Sequence, residues 1–195
     1  MVDNMLKKQY NNPITKMGVL KMKETKTKDI IFIGLFAAIL CVCAQISIPT
    51  PFGIPFTLQT FAVALCGYIL GAKKGAITVL VYILLGTVGL PVFSGFGAGF
   101  SKIFGATGGF IFGFLPAVVF CGLGDKKSKI ISIIFGIIGI AICHLCGILQ
   151  YSFITKNSFV SSFITVSGLF LVKDIISVIL AEIISIPIKS AISRF

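Results

Sequence analysis

The apolar runs of this chain leave few folds open. From Asp29 to Ile48 the only charge is the first residue, and comparable stretches recur between short lysine-bearing turns all the way to the C-terminus. Runs of that length cross or line a bilayer as helices, because in lipid every backbone N–H and C=O has to be satisfied inside its own segment. Composition points the same way. Of 195 residues 56% are hydrophobic and 12% charged, too few polar groups to cover a water-soluble domain of this size. Apolar runs dominate over the alternating segments that build membrane β-barrels. The expectation is an all-α, polytopic membrane protein with one domain over 27–195, following a basic segment over 1–26.

That first segment is polar and lysine-rich, with Asn11, Asn12 and Pro13 in its middle. It has too little apolar content to pack, so disorder is expected up to about Met22, which is also an alternative start. A signal peptide is the competing reading of the first apolar run, and Val42-Cys43-Ala44 weakly resembles a cleavage site. The run is longer than a signal core and further spans follow, which favours a retained helix. Six helices are expected, over about Thr27–Ile48, Phe56–Leu70, Ala76–Leu90, Gly105–Gly122, Ile130–Phe153 and Phe163–Ile192. Pro49, Pro51 and Pro55 hold the first connection extended. Gly71-Ala72-Lys73-Lys74-Gly75 turns the second helix into the third; one kinked span is the alternative, at a cost of about 2.5–3.5 kcal/mol for each lysine at its centre. Pro91–Gly109, with six glycines, is either a plain connector or the wall of a binding site, since irregular backbone at membrane depth has to be enclosed by protein.

Net charge is +11, but the lysines cluster at the ends of apolar runs instead of forming a basic groove with stacking aromatics, so nucleic acid is not implied. With six helices, fourteen lysines and arginines fall on the side of both termini and only Lys102 and Lys156 on the other. The positive-inside pattern then puts the termini in the cytoplasm and the Pro49–Pro55 and Pro91–Gly109 loops together on the outer face.

Three charges lie within the apolar runs, Lys173, Asp174 and Glu182, and each has to be paired or face a polar cavity. Lys173 and Asp174 are adjacent, about 100° apart on a helix, so no simple face pair is expected. Lys173 is read as snorkelling outward, and Asp174 as facing the bundle, either as a ligand group or in a structural ion pair. Glu182 is read as an interior, hydrogen-bonded, protonated carboxyl. The single histidine stands in Cys143-His144-Leu145-Cys146, where His144 points away from the face shared by the two cysteines. No second cluster supplies a tetrahedral set, so a helix–helix hydrogen bond is preferred to a metal. The six cysteines, all inside apolar runs, are read as small hydrophobes. Gly95-Phe96-Gly97-Ala98-Gly99 lacks the strand and the Gly-Lys-Ser/Thr ending of a phosphate loop, and no hydrolase or metalloprotease motif occurs, so no catalytic residue is assigned. Small residues a turn apart, Gly34 and Ala38, Ala37 and Cys41, Gly67 and Gly71, and Gly105, Gly109 and Gly113, permit close helix approach. Most serve internal packing; the pairs on the first helix serve either packing or a partner protein.

Longer motifs carry a resemblance. Ala44-Gln45-Ile46-Ser47-Ile48-Pro49, then Ile54-Pro55-Phe56-Thr57-Leu58-Gln59-Thr60, then Gly86-Thr87-Val88-Gly89-Leu90-Pro91-Val92-Phe93-Ser94-Gly95 and Gly105-Ala106-Thr107-Gly108-Gly109-Phe110 resemble, in order and spacing, the BioY family of biotin-specific S components of energy-coupling-factor transporters. The resemblance runs from about Thr27 to the C-terminus. It implies a multi-pass protein of the bacterial cell membrane that captures biotin outside. It also implies docking on a transmembrane T component and two ATPase subunits that drive delivery inward. The family's Ala-x-x-x-Ala partner face maps onto Ala37 and Cys41, beside Gly34 and Ala38. Three departures stand out: Ala106 replaces a usual proline, Ser177 replaces the lysine of an Asp-x-x-Lys pattern that retains Asp174, and Gly97 stands near the position of an arginine found in some members. Lys102 and Lys173 are the available replacement cations.

Biotin suits these residues. Two urea N–H groups fit a carboxylate such as Asp174, the ring sulfur and valerate chain fit Phe56, Phe93 and Phe96, and Thr57, Gln59 and Ser94 offer polar contacts. The ligand carboxylate fits Lys102 and the loop glycines around Gly95. Biotin is then transported ligand, not cofactor. Another small vitamin, or a self-sufficient transporter, is the alternative.

Overall fold

Helix formation begins before the apolar run does. The computed structural model describes residues 13–50, 54–125 and 127–194, with backbone alone for 13–25 and 169. Its first helix, α1, spans Pro13–Gln45, so the segment expected to be disordered up to Met22 is helical from Pro13; residues 1–12 lie outside the described residues. The physical reason is that extending an existing helix adds a hydrogen bond per residue without a new nucleus, and Lys, Met, Leu and Glu between positions 16 and 24 are good helix formers. α1 also stops three residues early. Ser47–Ile48 (β1) leaves the helix and pairs antiparallel with Phe56–Thr57 (β2), Ser47 opposite Thr57 and Ile48 opposite Phe56. A short β-ribbon thus flanks the proline-rich connection, a pairing that sequence reading missed; Pro51, Phe52 and Gly53 lie outside the described residues.

The next helix, α2, is bounded by Gln59 and Val88 but broken at Gly71, which has φ 75° and ψ 171°. Only glycine takes such a backbone at no steric cost. The chain reverses there. Gln59 Nε2 lies 2.7 Å from the Tyr82 hydroxyl, and a Cβ on Gly75 would stand 3.4 Å from Gly67 Cα; in one straight helix Gln59 and Tyr82 would be about 34 Å apart. So the expected pair of helices is present as antiparallel arms, 59–70 and 72–88, and the single kinked span is not. One residue makes the break, where five were expected.

A 3-10 turn at Ser94–Phe96 and the one-turn helix α3, Phe100–Ile103, give structure to the glycine-rich stretch. Then follow α4, Gly108–Gly124, and α5, Lys129–Thr155. The expected last helix is two. α6, Phe159–Val166, is capped by the Ser158 hydroxyl accepting from Ser161 N–H, and α7 is Gly168–Ile192. Ser167 between them leaves helical geometry, with φ −126°, and its hydroxyl is used elsewhere.

Glycines set the closest crossings. A Cβ on Gly122 would come within 2.1 Å of Ala72 N, one on Gly67 within 2.6 Å of Val118 O, one on Gly109 within 2.3 Å of Cys146 O, and one on Gly113 within 2.7 Å of Cys143 Cα. Most of the expected small-residue spacing is therefore internal packing of α2, α4 and α5. Gly34 and Gly71 meet nothing within 4 Å, and Gly105 meets only the Ser101 and Lys102 backbone of the one-turn helix just before it. The core gathers Phe36, Leu40, Tyr68, Tyr82, Phe93 and Phe114 from α1, α2, α4 and the loop after α2. Helices at Lys26–Gln45, Lys129–Thr155 and Phe170–Ile192 are long and apolar enough to cross a bilayer; Gln59–Val88 is as apolar but divided into its two arms, and Gly108–Gly124 is a shorter apolar helix. The chain is a helical membrane protein.

Candidate functional site

The glycine-rich stretch is held in place from two sides. At the end of α1 the Gln45 amide donates to the carbonyls of Val92 and Phe93 at 3.2 and 3.1 Å, and its oxygen accepts the Phe96 N–H at 2.9 Å. That last bond supports a left-handed backbone at Phe96, φ 56°, which is uncommon outside glycine. From α5, Gln150 Nε2 donates to the carbonyls of Ile103 and Gly105, both at 2.8 Å. Between these anchors the Phe93 ring is buried, edge-on to Tyr82 with centroids 5.5 Å apart. It lies on Gly86, where a Cβ would meet it at 2.2 Å.

The result is a cleft of about 620 Å³, open to the surroundings, walled by Ile54, Pro55, Thr57, Gln59, Thr60, Phe93, Ser94, Lys102, Thr107, Phe110, Ile111, Phe114, Cys143, Phe170, Lys173 and Asp174. Seven of the expected ligand residues are brought together here: Thr57, Gln59, Phe93, Ser94, Lys102, Lys173 and Asp174. Three do not line it. Phe56 sits behind, stacked on Phe170 at 4.3 Å. Gly95 and Phe96 turn away, the Phe96 ring 72% exposed, because two consecutive left-handed residues swing the tip of the loop outward.

Charge is concentrated at one end. Asp174 is 6% exposed. Its Oδ2 is 3.0 Å from His144 Nε2, and Oδ1 is 2.5 Å from Lys173 Nζ. The second contact is an ion pair without hydrogen-bond alignment, so Oδ1 has no hydrogen-bond partner among the described residues. Lys173 does not snorkel outward, as the sequence had suggested. It bends back to its neighbour and donates to the Thr57 carbonyl at 2.9 Å, with Nζ 5.9 Å from the Phe56 ring centre. A long flexible stem spans the 100° between adjacent residues when the alternative is an unpaired ammonium in apolar surroundings.

At the other end, the Lys102 stem crosses Gly97 so closely that a Cβ there would lie 2.4 Å from Cε. The Lys102 ammonium forms no ion pair among the described residues. Thr57 Oγ1 donates to Gln59 Oε1 at 3.0 Å, and Gln59 Nε2 donates to Tyr82, so these two polar groups are already oriented by protein.

His144, 4% exposed, makes the expected helix–helix hydrogen bond, and its Nδ1 is also 2.8 Å from Ser167 Oγ. Among the described residues no three His, Cys, Asp or Glu groups converge on a metal position. Glu182 is buried, as read, with Ser185 Oγ 3.5 Å from its Oε2. Sequence reading missed the aromatic floor, although spacing carried it: Thr107, Phe110, Ile111 and Phe114 share one face of α4, and Phe170 stands one turn before Asp174 on α7.

On α1 the small residues divide. Ala37 is 3% exposed and Cys41 half-buried against the core, whereas Gly34 and Ala38 are exposed. The pair that the resemblance assigned to a partner face is thus turned inward, because the same stripe carries Phe36, Leu40 and Ala44 into the core.

The sequence pattern of the BioY family matches residues 16–194. Over 165 residues the chain is 35% identical to the biotin transporter BioY of Thermotoga maritima, covering 83% of this chain and 96% of that protein. Over 161 residues it is 37% identical to the probable biotin transporter BioY of Pyrococcus horikoshii, with coverages of 82% and 95%. Among solved structures, the S-component for biotin from an ECF-type ABC transporter has the same fold, with a TM-score of 0.79 at 23% identity over 86% of this chain and 93% of that one. Similarity of this extent, over nearly the whole length of its relatives, makes the chain a member of the BioY family.

Proposed function

We propose that this chain captures biotin at the outer face of a bacterial cell membrane and delivers it inward as the S component of an energy-coupling-factor transporter. The observation that carries the reading is Oδ1 of Asp174, a buried carboxylate oxygen in an aromatic cleft with no aligned hydrogen-bond donor among the described residues. Lys173 Nζ, 2.5 Å away, balances its charge but leaves acceptor capacity on it, and a cyclic urea presents N–H donors that fill it. At the opposite end Lys102 and the loop amides meet the ligand carboxylate, while Phe93, Phe110 and Phe170 enclose the ring sulfur and aliphatic chain. Ser94, Thr57 and Gln59 supply the flanking polar contacts. Phe56 acts by backing Phe170, and Gly95 and Phe96 by shaping the loop.

In this reading the two arms of α2 bring the number of spans to six. The lysine distribution then puts the termini in the cytoplasm and the cleft outside. Gly34 and Ala38, the small residues that remain exposed on α1, form the contact with the T component of a module completed by two ATPase subunits. Basic residues before the first span sit at the cytoplasmic headgroups.

Titration of purified protein with biotin tests the site. Asp174→Asn is expected to weaken binding by about ten- to a hundredfold, the loss of one hydrogen bond to a charged group. Unchanged affinity removes Asp174 from the urea site. Retention of a different vitamin by the purified protein, seen by mass spectrometry, removes biotin.

A further inference from the structure

A carboxylate on a helix can rotate about two side-chain bonds, and which oxygen it shows to a cleft is decided by what holds the other. Oδ2 of Asp174 is held by His144 Nε2 at 3.0 Å, and His144 is itself held at Nδ1 by Ser167 Oγ at 2.8 Å. The three residues come from three positions in the fold: α5, the break between α6 and α7, and α7. They are all buried, and the Phe110 ring stands perpendicular to the imidazole at 5.6 Å, fixing its plane.

The proton accounting has one consistent solution for a neutral ring. An ionised Asp174 accepts only, so Nε2 has to carry the hydrogen. Nδ1 then accepts from the Ser167 hydroxyl. Ser167 has left helical geometry, which frees its hydroxyl to aim at the ring instead of back-bonding within its own helix. The helix break in the last apolar run and the sole histidine are therefore parts of one arrangement.

We propose that His144 is a positioning residue for the ligand site: by donating Nε2–H to Oδ2 of Asp174 it presents Oδ1, which Lys173 Nζ touches from one side at 2.5 Å, and the acceptor capacity left on it, to the N–H donors of the ligand. The identity of that ligand rests on the biotin reading; the direction of the hydrogen bond does not.

Two measurements test it on the full-length protein. The chain has a single histidine, so selective ¹⁵N-histidine labelling with a histidine-free purification tag gives NMR signals from His144 alone. A hydrogen on Nε2, which Asp174→Asn shifts, is the expected result; a bare Nε2 in the ligand-free protein overturns the proposal whatever the ligand is. The second measurement compares biotin titrations of His144→Gln, whose amide N–H reaches where Nε2 stands, with His144→Asn, whose amide reaches only to Nδ1, and with the apolar His144→Leu. Glutamine is expected within about fivefold of the parent. Asparagine and leucine are expected to lose about ten- to a hundredfold, each with a folded, monodisperse profile. Equal affinities for all three variants, whether retained or lost together, overturn the positioning role. Failure of the parent to bind biotin would sink the biotin reading instead, and would leave the NMR result standing.

Discussion

Lys102 shows how one side chain can depend on the absence of another. Its stem occupies the space that any side chain at position 97 would take, 2.4 Å from where a Cβ would stand, so a basic residue at 97 and this placement of Lys102 exclude each other. The cation enters the cleft from the far side of the same loop. Lys102→Met keeps the stem and removes the charge. It is expected to weaken biotin about fivefold, as for a partly exposed ion pair, and to leave the uncharged carboxamide of biotin unaffected; equal losses for both ligands would show that Lys102 acts through packing. Residues of this kind were legible as candidates because a charge in an apolar run is conspicuous. Their partners were not. The return of Lys173 to Asp174 and Thr57, and the double engagement of His144, depend on side-chain reach and on two helices meeting at one height, neither of which residue spacing encodes.

At the scale of elements, the broad pattern of apolar helices was readable and their joints were less so. Runs and glycines located α4 and α5 to within a few residues. The early stop of α1 at Gln45, the β-ribbon that follows and the break at Ser167 were not visible, because each is stabilised by a distant partner: the loop carbonyls for Gln45, Phe56–Thr57 for the ribbon, and His144 for Ser167. Glycine spacing said that helices approach closely, but not which glycine bears the contact. The structure distinguishes them. At Gly122 a methyl group meets the backbone nitrogen of Ala72 at 2.1 Å, and at Gly34 it meets nothing. Backbone cannot swing aside as a side chain can, so Gly122→Ala is expected to cost about 1–3 kcal/mol and Gly34→Ala nothing measurable. Thermal denaturation of the two variants in detergent checks the contrast. Equal midpoints would mean that the α2–α4 crossing relaxes freely.

For the whole molecule, the cleft accounts for capture and not for release. Among the described residues no phosphate loop powers a cycle, and the proposed reading assigns that task to partners met through Gly34 and Ala38, which are exposed on α1. Accumulation of labelled biotin is therefore expected only in cells that also express the T component and both ATPases; full accumulation with this chain alone would establish a self-sufficient transporter. Two ion pairs bear on how such a partner could act. Lys74 with Asp29, 2.5 Å apart, joins the α2 reversal to α1, and Lys189 with Asp125 joins the end of α7 to the end of α4. Both clasp the bundle at the end away from the cleft, and both are partly open to their surroundings, where salt and competing charges weaken them. The Asp174–His144 contact is shut away from either influence. The molecule thus resembles a flask tied at the foot whose contents are gripped deep inside, and a hand that loosens the foot need not spill them.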